Sequence, residues 1–291
     1  MRVDFHVHST ASDGTFTPAE LVALGADFAA LALTDHDNCD GVRDAGWRTQ
    51  GGGCRLVAGI ELSIDPGEGF DMFHLLGLGI DPEDAGLKAF QKRILDGRNA
   101  RNVCILDNFR RLGIAMDDVV AYAHGDVLAR PHFARWLVEH GFAASIKDAF
   151  EKYLLPDSPR ETRCYEARWH PPQEEAFRVV HAAGGLCVMA HPKYLRRDWK
   201  MAGCDFAAAE RGLAALKEKG LDGVETLYQA NTPEENTLFT RMAAKLGYLK
   251  TAGSDFHGAN KSAIPLGMEV SEDFIAPVLE RLLRPAAPIL V

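Results

Sequence analysis

The sequence contains no apolar run approaching the roughly 18 residues that a membrane-spanning helix needs, so no membrane partner is expected. Its opening, MRVDFHVHST, lacks the apolar stretch and small-residue cleavage site of a secretory leader, and a cytoplasmic location is the expectation. The six cysteines, at 39, 54, 104, 164, 187 and 204, form no CxxC pair and no dense framework. They read as reduced, mostly buried side chains rather than as a disulfide scaffold or a nucleophile. Basic charge is scarce: 32 Lys and Arg stand against 41 Asp and Glu, a formal charge of −9. That balance argues against a groove for bulk DNA. It leaves room for a small anion if metal ions and a few Arg or Lys residues reverse the field locally. Internal repeats and low-complexity linkers are absent as well.

What is present suits a large α/β core. Of the 291 residues, 47% are hydrophobic and 25% charged. Apolar, β-rich runs at 3–8, 29–34, 55–64, 72–80, 185–190, 223–228 and 249–254 give seven strand candidates. Several are continuously apolar, as strands buried on both faces of a parallel sheet would be. Helical patterns alternate with them. Thr17-Pro18-Ala19-Glu20 opens one helix with Thr17 as its N-cap. Another starts near Pro172, carries Ala176, Val179, Val180 and Ala183, and stops at Gly184-Gly185. This alternation predicts an α/β barrel or doubly wound sheet. The middle differs. Val103, Leu106, Phe109 and Leu112 recur at threefold spacing before Gly113; Phe133, Trp136 and Leu137 form a second apolar face, and Ile146, Phe150, Tyr153 and Leu154 a third. Residues 98–169 are therefore expected to form a small helical insertion, packed as a lid on a barrel made of 1–97 and 170–291.

Five strand ends carry groups with metal-binding chemistry. In Asp4-Phe5-His6-Val7-His8, residues two apart share a face, so His6 and His8 can aim at one ion while Phe5 and Val7 pack behind; Asp13 follows in a Gly-containing turn. Thr34-Asp35-His36-Asp37 ends the next run. His36 is its candidate ligand, with Asp35 and Asp37 able to orient the ring, or Asp37 to cap a helix. Glu61 follows a third run and could bridge two cations; as a purely structural residue it would need a cationic partner. His74 lies on the next strand, where a packed core histidine is the alternative. His191 ends the Val188-Met189-Ala190 run, and Asp255 and His257 repeat the i, i+2 geometry of His6 and His8. Any one cluster has an ordinary reading as a turn or a satisfied histidine; five strand ends together do not.

The ordered motifs HxH…SDG, TDHD, GxE, AHP and SDxH resemble those of the polymerase-and-histidinol-phosphatase (PHP) family, from Arg2 to about Gly258 apart from the insertion. The resemblance implies a distorted seven-stranded α/β barrel and two or three divalent ions, manganese first, with iron or zinc as alternatives. It implies one ion on His6, His8, Glu61 and Asp255, a second on Asp13, His36 and His257, and a third on a bridging Glu61 with His74 and His191. His191, Asp255 and Glu61 would then be catalytic. The insertion, with Ala129-Arg130-Pro131-His132, resembles the subgroup of 3′,5′-nucleoside bisphosphate phosphatases and 5′→3′ exoribonucleases. Arg130 and His132 would then reach a substrate phosphate, and Lys193, Tyr194 and Arg197 a second phosphate or the base; Lys193 departs from the subgroup's usual residue after AHP. The expected substrate is a small phosphorylated nucleotide or short RNA. Histidinol phosphate is the alternative substrate. A non-catalytic, metal-stabilised binding module is the alternative class, which loss of ligand residues would favour; here the set is complete.

Overall fold

The computed structural model describes residues 1–47, 54–65, 73–122, 128–194 and 206–283. Eight strands form one sheet in the order β7-β6-β5-β4-β3-β2-β1-β8. They are β1 (Arg2–Val7), β2 (Ala30–Leu33), β3 (Leu56–Ile64), β4 (Phe73–Leu78), β5 (Leu186–Met189), β6 (Gly223–Tyr228), β7 (Leu249–Gly253) and β8 (Met268–Glu269). The two edges of the seven longer strands meet where His8 N donates to Phe256 O at 3.0 Å and Asp255 N to His6 O at 2.9 Å. The sheet thus curls into a nearly closed barrel, and the seven predicted runs all lie in it. The count and directions need correction. β8 is an eighth strand, only two residues long and antiparallel to β1, too short to leave a sequence pattern. The sheet is also mixed, because β4 runs antiparallel to both β3 and β5. Only residues 65–72 join β3 to β4, fewer than the dozen or so a parallel crossover needs.

Alternation along the strands sorts the core. Leu31, Leu33, Ile60, Leu62 and Ile64 pack outward against the surrounding helices. Val3, Phe5, Ala30, Ala32, Leu76 and Val188 point inward. In β1 this alternation breaks: Asp4 pairs with Leu31 but Val7 with Leu33, so three steps on β1 match two on β2. Phe5 and Val7 consequently lie in different apolar clusters rather than on one face, and the bulge is what turns His6 and His8 to the side of Glu61. Helix α9 (Glu272–Leu283) buries Ile275 and Val278 in the inner cluster, at the end of the barrel where the parallel strands start. The opposite end, where those strands finish, is left for polar groups.

Helix α1 (Pro18–Leu24) has the predicted capping box: Glu20 N donates to Thr17 Oγ1 and Thr17 N to Glu20 Oε2. Helix α6 (Gln173–Ala182) follows Pro172 and stops before Gly184, whose φ is +84°. The helix expected to begin the insertion is longer than its pattern suggested. With α2 (Asp40–Asp44) preceding it, α3 runs unbroken from Ala85 to Arg111. Its first half packs Leu87, Phe90 and Ile94 into the barrel's outer core; its second half packs Ile105 and Phe109 into a separate cluster with Phe133, Leu137 and Leu154. The expected face of 103, 106, 109 and 112 is displaced, since Val103 is 56% and Leu112 39% exposed. The inward face carries Arg98, Arg101 and Asn102 instead, all buried. Helix α4 (Arg130–Glu139) and the short α5 (Ile146–Ala149) complete that second cluster, while α7 (Phe206–Glu218) and α8 (Pro233–Lys245) flank the later strands. Among the described residues no helix is long and apolar enough to cross a membrane.

Truncating Ile275, which is fully buried, leaves a cavity beneath the barrel. Ile275→Ala is expected to cost about 2–5 kcal/mol, read as a lowered denaturation midpoint with metal bound per folded chain unchanged.

Candidate metal centre

Every predicted ligand lies at the polar end of the barrel. β1 supplies His6 and the residue after it His8; β3 supplies Glu61 and β4 His74; the turns after β2, β5 and β7 supply His36, His191, Asp255 and His257. Glu61 is central. One oxygen, Oε1, lies 3.2 Å from His6 Nε2, 2.8 Å from His74 Nδ1 and 3.1 Å from His191 Nε2. The other, Oε2, lies 3.2 Å from His8 Nε2 and 3.0 Å from His36 Nδ1. Asp255 Oδ1 stands 3.6 Å from His6 Nε2 and 3.5 Å from His8 Nε2. Asp13 completes the group, 3.2 Å from His257 Nε2 and 3.9 Å from His36 Nε2.

These donors fit cations better than they fit one another. His6 Nε2, both ring nitrogens of His8, His36 Nδ1 and Glu61 Oε2 are buried without a hydrogen-bond partner despite these short separations. Native interiors seldom leave so many polar atoms unsatisfied together. Three overlapping groups, His6-His8-Glu61, His8-Asp13-His36-His257 and His36-Glu61-His74, each bring their ligand atoms within 4.8 Å of one another. Mixed imidazole and carboxylate donors suit divalent transition metals. Burial favours the neutral forms of Glu61, Asp13 and Asp255, but the facing imidazoles outweigh it and hold all three well below the usual carboxylate range. Burial lowers His36 to about 4. It also opposes the charged form of His8, yet the Asp255 and Glu61 carboxylates prevail and raise that ring to about 9.

A second layer aims the ligands. Glu225, fully buried on β6, takes His6 Nδ1 at 3.0 Å on one oxygen and the backbone N–H of His191 at 2.6 Å on the other. This fixes the His6 tautomer, with Nδ1–H donating to Glu225 and Nε2 free to face Glu61. Gly253 makes the approach possible, because a Cβ there would stand 2.2 Å from Glu225 Oε1. Asp4 accepts from Ser254 N, Ser254 Oγ and Gly267 N, securing the turn before Asp255. Asp255 Oδ2 is itself held by Tyr228 Oη at 3.0 Å and Lys261 Nζ at 2.6 Å. Asp37, His191 and Asp255 are the described non-glycine residues with positive φ, at +58°, +27° and +59°. Such backbone strain concentrates where geometry is functional.

No family model matches the chain. It is 32% identical over 294 residues to a 3′,5′-nucleoside bisphosphate phosphatase of Chromobacterium violaceum, covering 98% of this chain and 99% of that protein. Over 264 residues it is 34% identical to a 5′-3′ exoribonuclease of Haemophilus influenzae, covering 88% and 90%. The chain belongs to the PHP family of metal-dependent phosphoesterases. A solved structure from Bifidobacterium adolescentis, described as a metal-dependent phosphoesterase, agrees with a TM-score of 0.77 at 27% identity, covering 96% of each chain. Like its PHP relatives, the protein is a hydrolase of phosphoric esters that depends on divalent metal.

The PHP site differs from the sequence expectation behind His36. Asp35 does not orient that ring; it accepts from Ser9 N, Ser9 Oγ and Ser12 Oγ and so shapes the loop leading to Asp13. Asp37 neither orients it nor caps α2, whose N-cap is Cys39; it binds Arg98, Arg168 and the N–H of Ser63. Arg130 lines a cavity of about 190 Å³ that also touches Asp13, His36 and His74. The same cavity gathers Arg98, Arg101, Arg168 and His170, none of which the sequence singled out. Burial and the neighbouring Arg98, Arg168 and Arg130 depress Arg101 to about 9. His132 borders a neighbouring cavity with Asp13 and His257, and its Nδ1 accepts from Ala129 N at 3.0 Å. Lys193 reaches Ala230 O and Glu235 at the start of α8. The side chain of Tyr194, and Arg197, lie outside the described residues.

Against the effect of burial, the Asp255 and Glu61 carboxylates raise the His8 ring to about 9, so a metal ion bound through that ring is expected to displace a proton. Affinity for Mn²⁺ should rise with pH towards that value, with protons released; calorimetry in two buffers of different ionisation enthalpy measures this, and proton-neutral binding would contradict it. Glu225→Ala should weaken metal binding about 10- to 100-fold, read by competition with a fluorescent chelator.

Proposed function

We propose that this phosphoesterase removes the 3′-phosphate of nucleoside 3′,5′-bisphosphates, converting adenosine 3′,5′-bisphosphate to AMP and phosphate, and that it also trims short 5′-phosphorylated oligoribonucleotides. The observation that carries the reading is the four-arginine cavity sharing Asp13, His36 and His74 with the metal ligands. One phosphate can sit at the ligands while a second is held by guanidiniums, which offer paired donors matched to phosphate oxygens. The names of the two relatives, a nucleoside bisphosphate phosphatase and an exoribonuclease, support the same substrate class.

We assign His6, His8, Glu61 and Asp255 to one ion, Asp13, His36 and His257 to a second, and Glu61, His74 and His191 to a third, with manganese first and iron or zinc as alternatives. Bound there, such ions neutralise phosphoryl charge and acidify a water molecule. The chain's own groups do the rest. Arg130 and its neighbours bind the remote 5′-phosphate, and that binding energy orients the reacting one. As the attacking water's oxygen bonds to phosphorus and the P–O3′ bond breaks, one proton of that water passes to the departing 3′-oxygen, which His191, at the edge of a larger cavity, would stabilise where the third site is empty. Residues 98–169 act as the lid that carries Arg130 and His132 over the ligands. The trimming activity is favoured by that larger cavity, about 520 Å³ and bordered by Phe73, Tyr228 and Ile264. Its volume leaves room beside the ligands for part of the chain beyond the cut.

Phosphate release from adenosine 3′,5′-bisphosphate should exceed that from histidinol phosphate on the order of 100-fold in kcat/KM; equal rates on the two would reject the reading. Arg130→Met should lower kcat/KM for the bisphosphate by roughly 10- to 100-fold, the loss of one charged hydrogen-bonding partner worth about 1.5–3 kcal/mol.

A further inference from the structure

Asp37 is bonded to both stems of the segment 98–169. Its Oδ2 accepts from Arg98 Nε at 2.8 Å, from Nη2 of the same guanidinium, and from Arg168 Nη1 at 3.0 Å. Arg98 lies in α3 between the part that packs on the barrel and the part that packs in the second cluster; Arg168 lies in the extended stretch that returns towards α6. The other oxygen, Oδ1, accepts from Ser63 N at 3.1 Å, and the backbone N–H of Asp37 donates to Glu61 O at 2.8 Å. Asp37 therefore clamps β3 on both sides of the residue after Glu61, directly beside His36. It is 3% exposed, and the side chains of Arg98 and Arg168 are 7% and 9% exposed. The positive φ of Asp37 shows that the direction of this side chain is kept at a cost in backbone strain.

The charges around it do not balance. Arg98 and Arg168 share the one carboxylate, while among the described residues Arg101 bonds Asn102 Oδ1 and Arg130 bonds Leu154 O, besides its contacts with the Phe150 and Tyr165 rings. The four guanidiniums line one cavity, with Asp13 at its metal-facing side and Asp37 behind Arg98 and Arg168, and so outnumber the carboxylates there, a pocket complementary to a multiply charged anion. Asp37 makes no bond to the His36 ring, so it is not the carboxylate that backs a metal-binding histidine; Glu225 has that place behind His6.

We propose that Asp37 is a specificity-determining positioning residue: it aims Arg98 and Arg168 at the substrate's remote phosphate and ties that pocket to the turn carrying His36 and to Glu61. This rests on reading the arginine cavity as the seat of that phosphate. Asp37→Asn keeps an acceptor for Ser63 but turns an amide NH₂ towards two guanidiniums, so both lose their aim.

The test compares kcat/KM for adenosine 3′,5′-bisphosphate with that for adenosine 3′-monophosphate, which lacks the remote phosphate, alongside metal per chain by mass spectrometry. In the wild type the ratio should be high. In Asp37→Asn it should fall about 100-fold, the loss typical of a displaced positioning group, mainly through KM for the bisphosphate and with metal content retained. A variant that keeps the wild-type ratio overturns the proposal. So does one that loses metal and slows equally on both substrates, because Asp37 would then act through His36 or Glu61. A wild type indifferent to the remote phosphate overturns the bisphosphate reading and this inference with it, a result distinct from a selective wild type whose selectivity survives in Asp37→Asn. Should Asp37→Asn fail to fold, Arg168→Gln, which leaves Asp37 paired with Arg98, must lower the same ratio with metal retained; an unchanged ratio overturns the proposal.

Discussion

Glu61 has five imidazole nitrogens within 3.2 Å of its two oxygens, from His6, His8, His36, His74 and His191. Taking one ionised carboxylate out of water costs of the order of several kcal/mol after relaxation, and here the rings facing it are taken out of water as well. No chain would gather such a set for packing alone. Much of the barrel's irregularity serves to hold it. The bulge in β1 swings His6 and His8 inward. The left-handed residues 191 and 255 redirect two turns at strand ends. Glu225 and Asp4 lock from behind what those turns deliver. The apolar inner cluster and α9 fill the other end, so the polar end has a rigid floor.

How much of this was legible in the sequence follows from where each residue sits. A histidine or carboxylate just past a buried strand has no packing reason to be there, and every such residue read as a ligand lies in the cluster. Glu225 carried the same signal, a carboxylate inside Val224-Glu225-Thr226-Leu227, yet lacked a histidine beside it to draw notice. The arginines were hidden for the opposite reason. Apolar spacing was taken to mark the buried face of α3, but that face is polar at 98, 101 and 102 because it borders a cavity, and becomes apolar only at 105 and 109. The direction of β4 was recoverable from the short stretch 65–72 before it. The two-residue β8 was not, since its pairing depends on where β1 ends up in space.

The overall charge of −9 and the arginine cavity look contradictory only if charge is averaged over the surface. Within a confined, low-dielectric pocket, a few guanidiniums set the local potential, and distant surface carboxylates are screened within roughly 8–10 Å of water. A chain that is acidic overall can therefore still hold a pocket that favours a small anion.

The unbroken helix α3 has a further consequence. It passes through both apolar clusters, with Arg98 and Arg101 midway between Ile94 and Ile105. Each residue of an α-helix advances the azimuth by about 100°, so the two clusters are geared to one another through this shaft. Adding or deleting one residue between 94 and 105 would rotate the second cluster by over a quarter-turn against the barrel and swing the arginines away from the histidine and carboxylate cluster around Glu61. Length changes that restore the phase, near seven residues for two turns, would keep the gearing but lift the second cluster about 10 Å along the axis. In divergent descendants of this chain, the spacing between these two anchor points should therefore be among the least negotiable lengths in the fold, whatever happens to the identity of the residues between them.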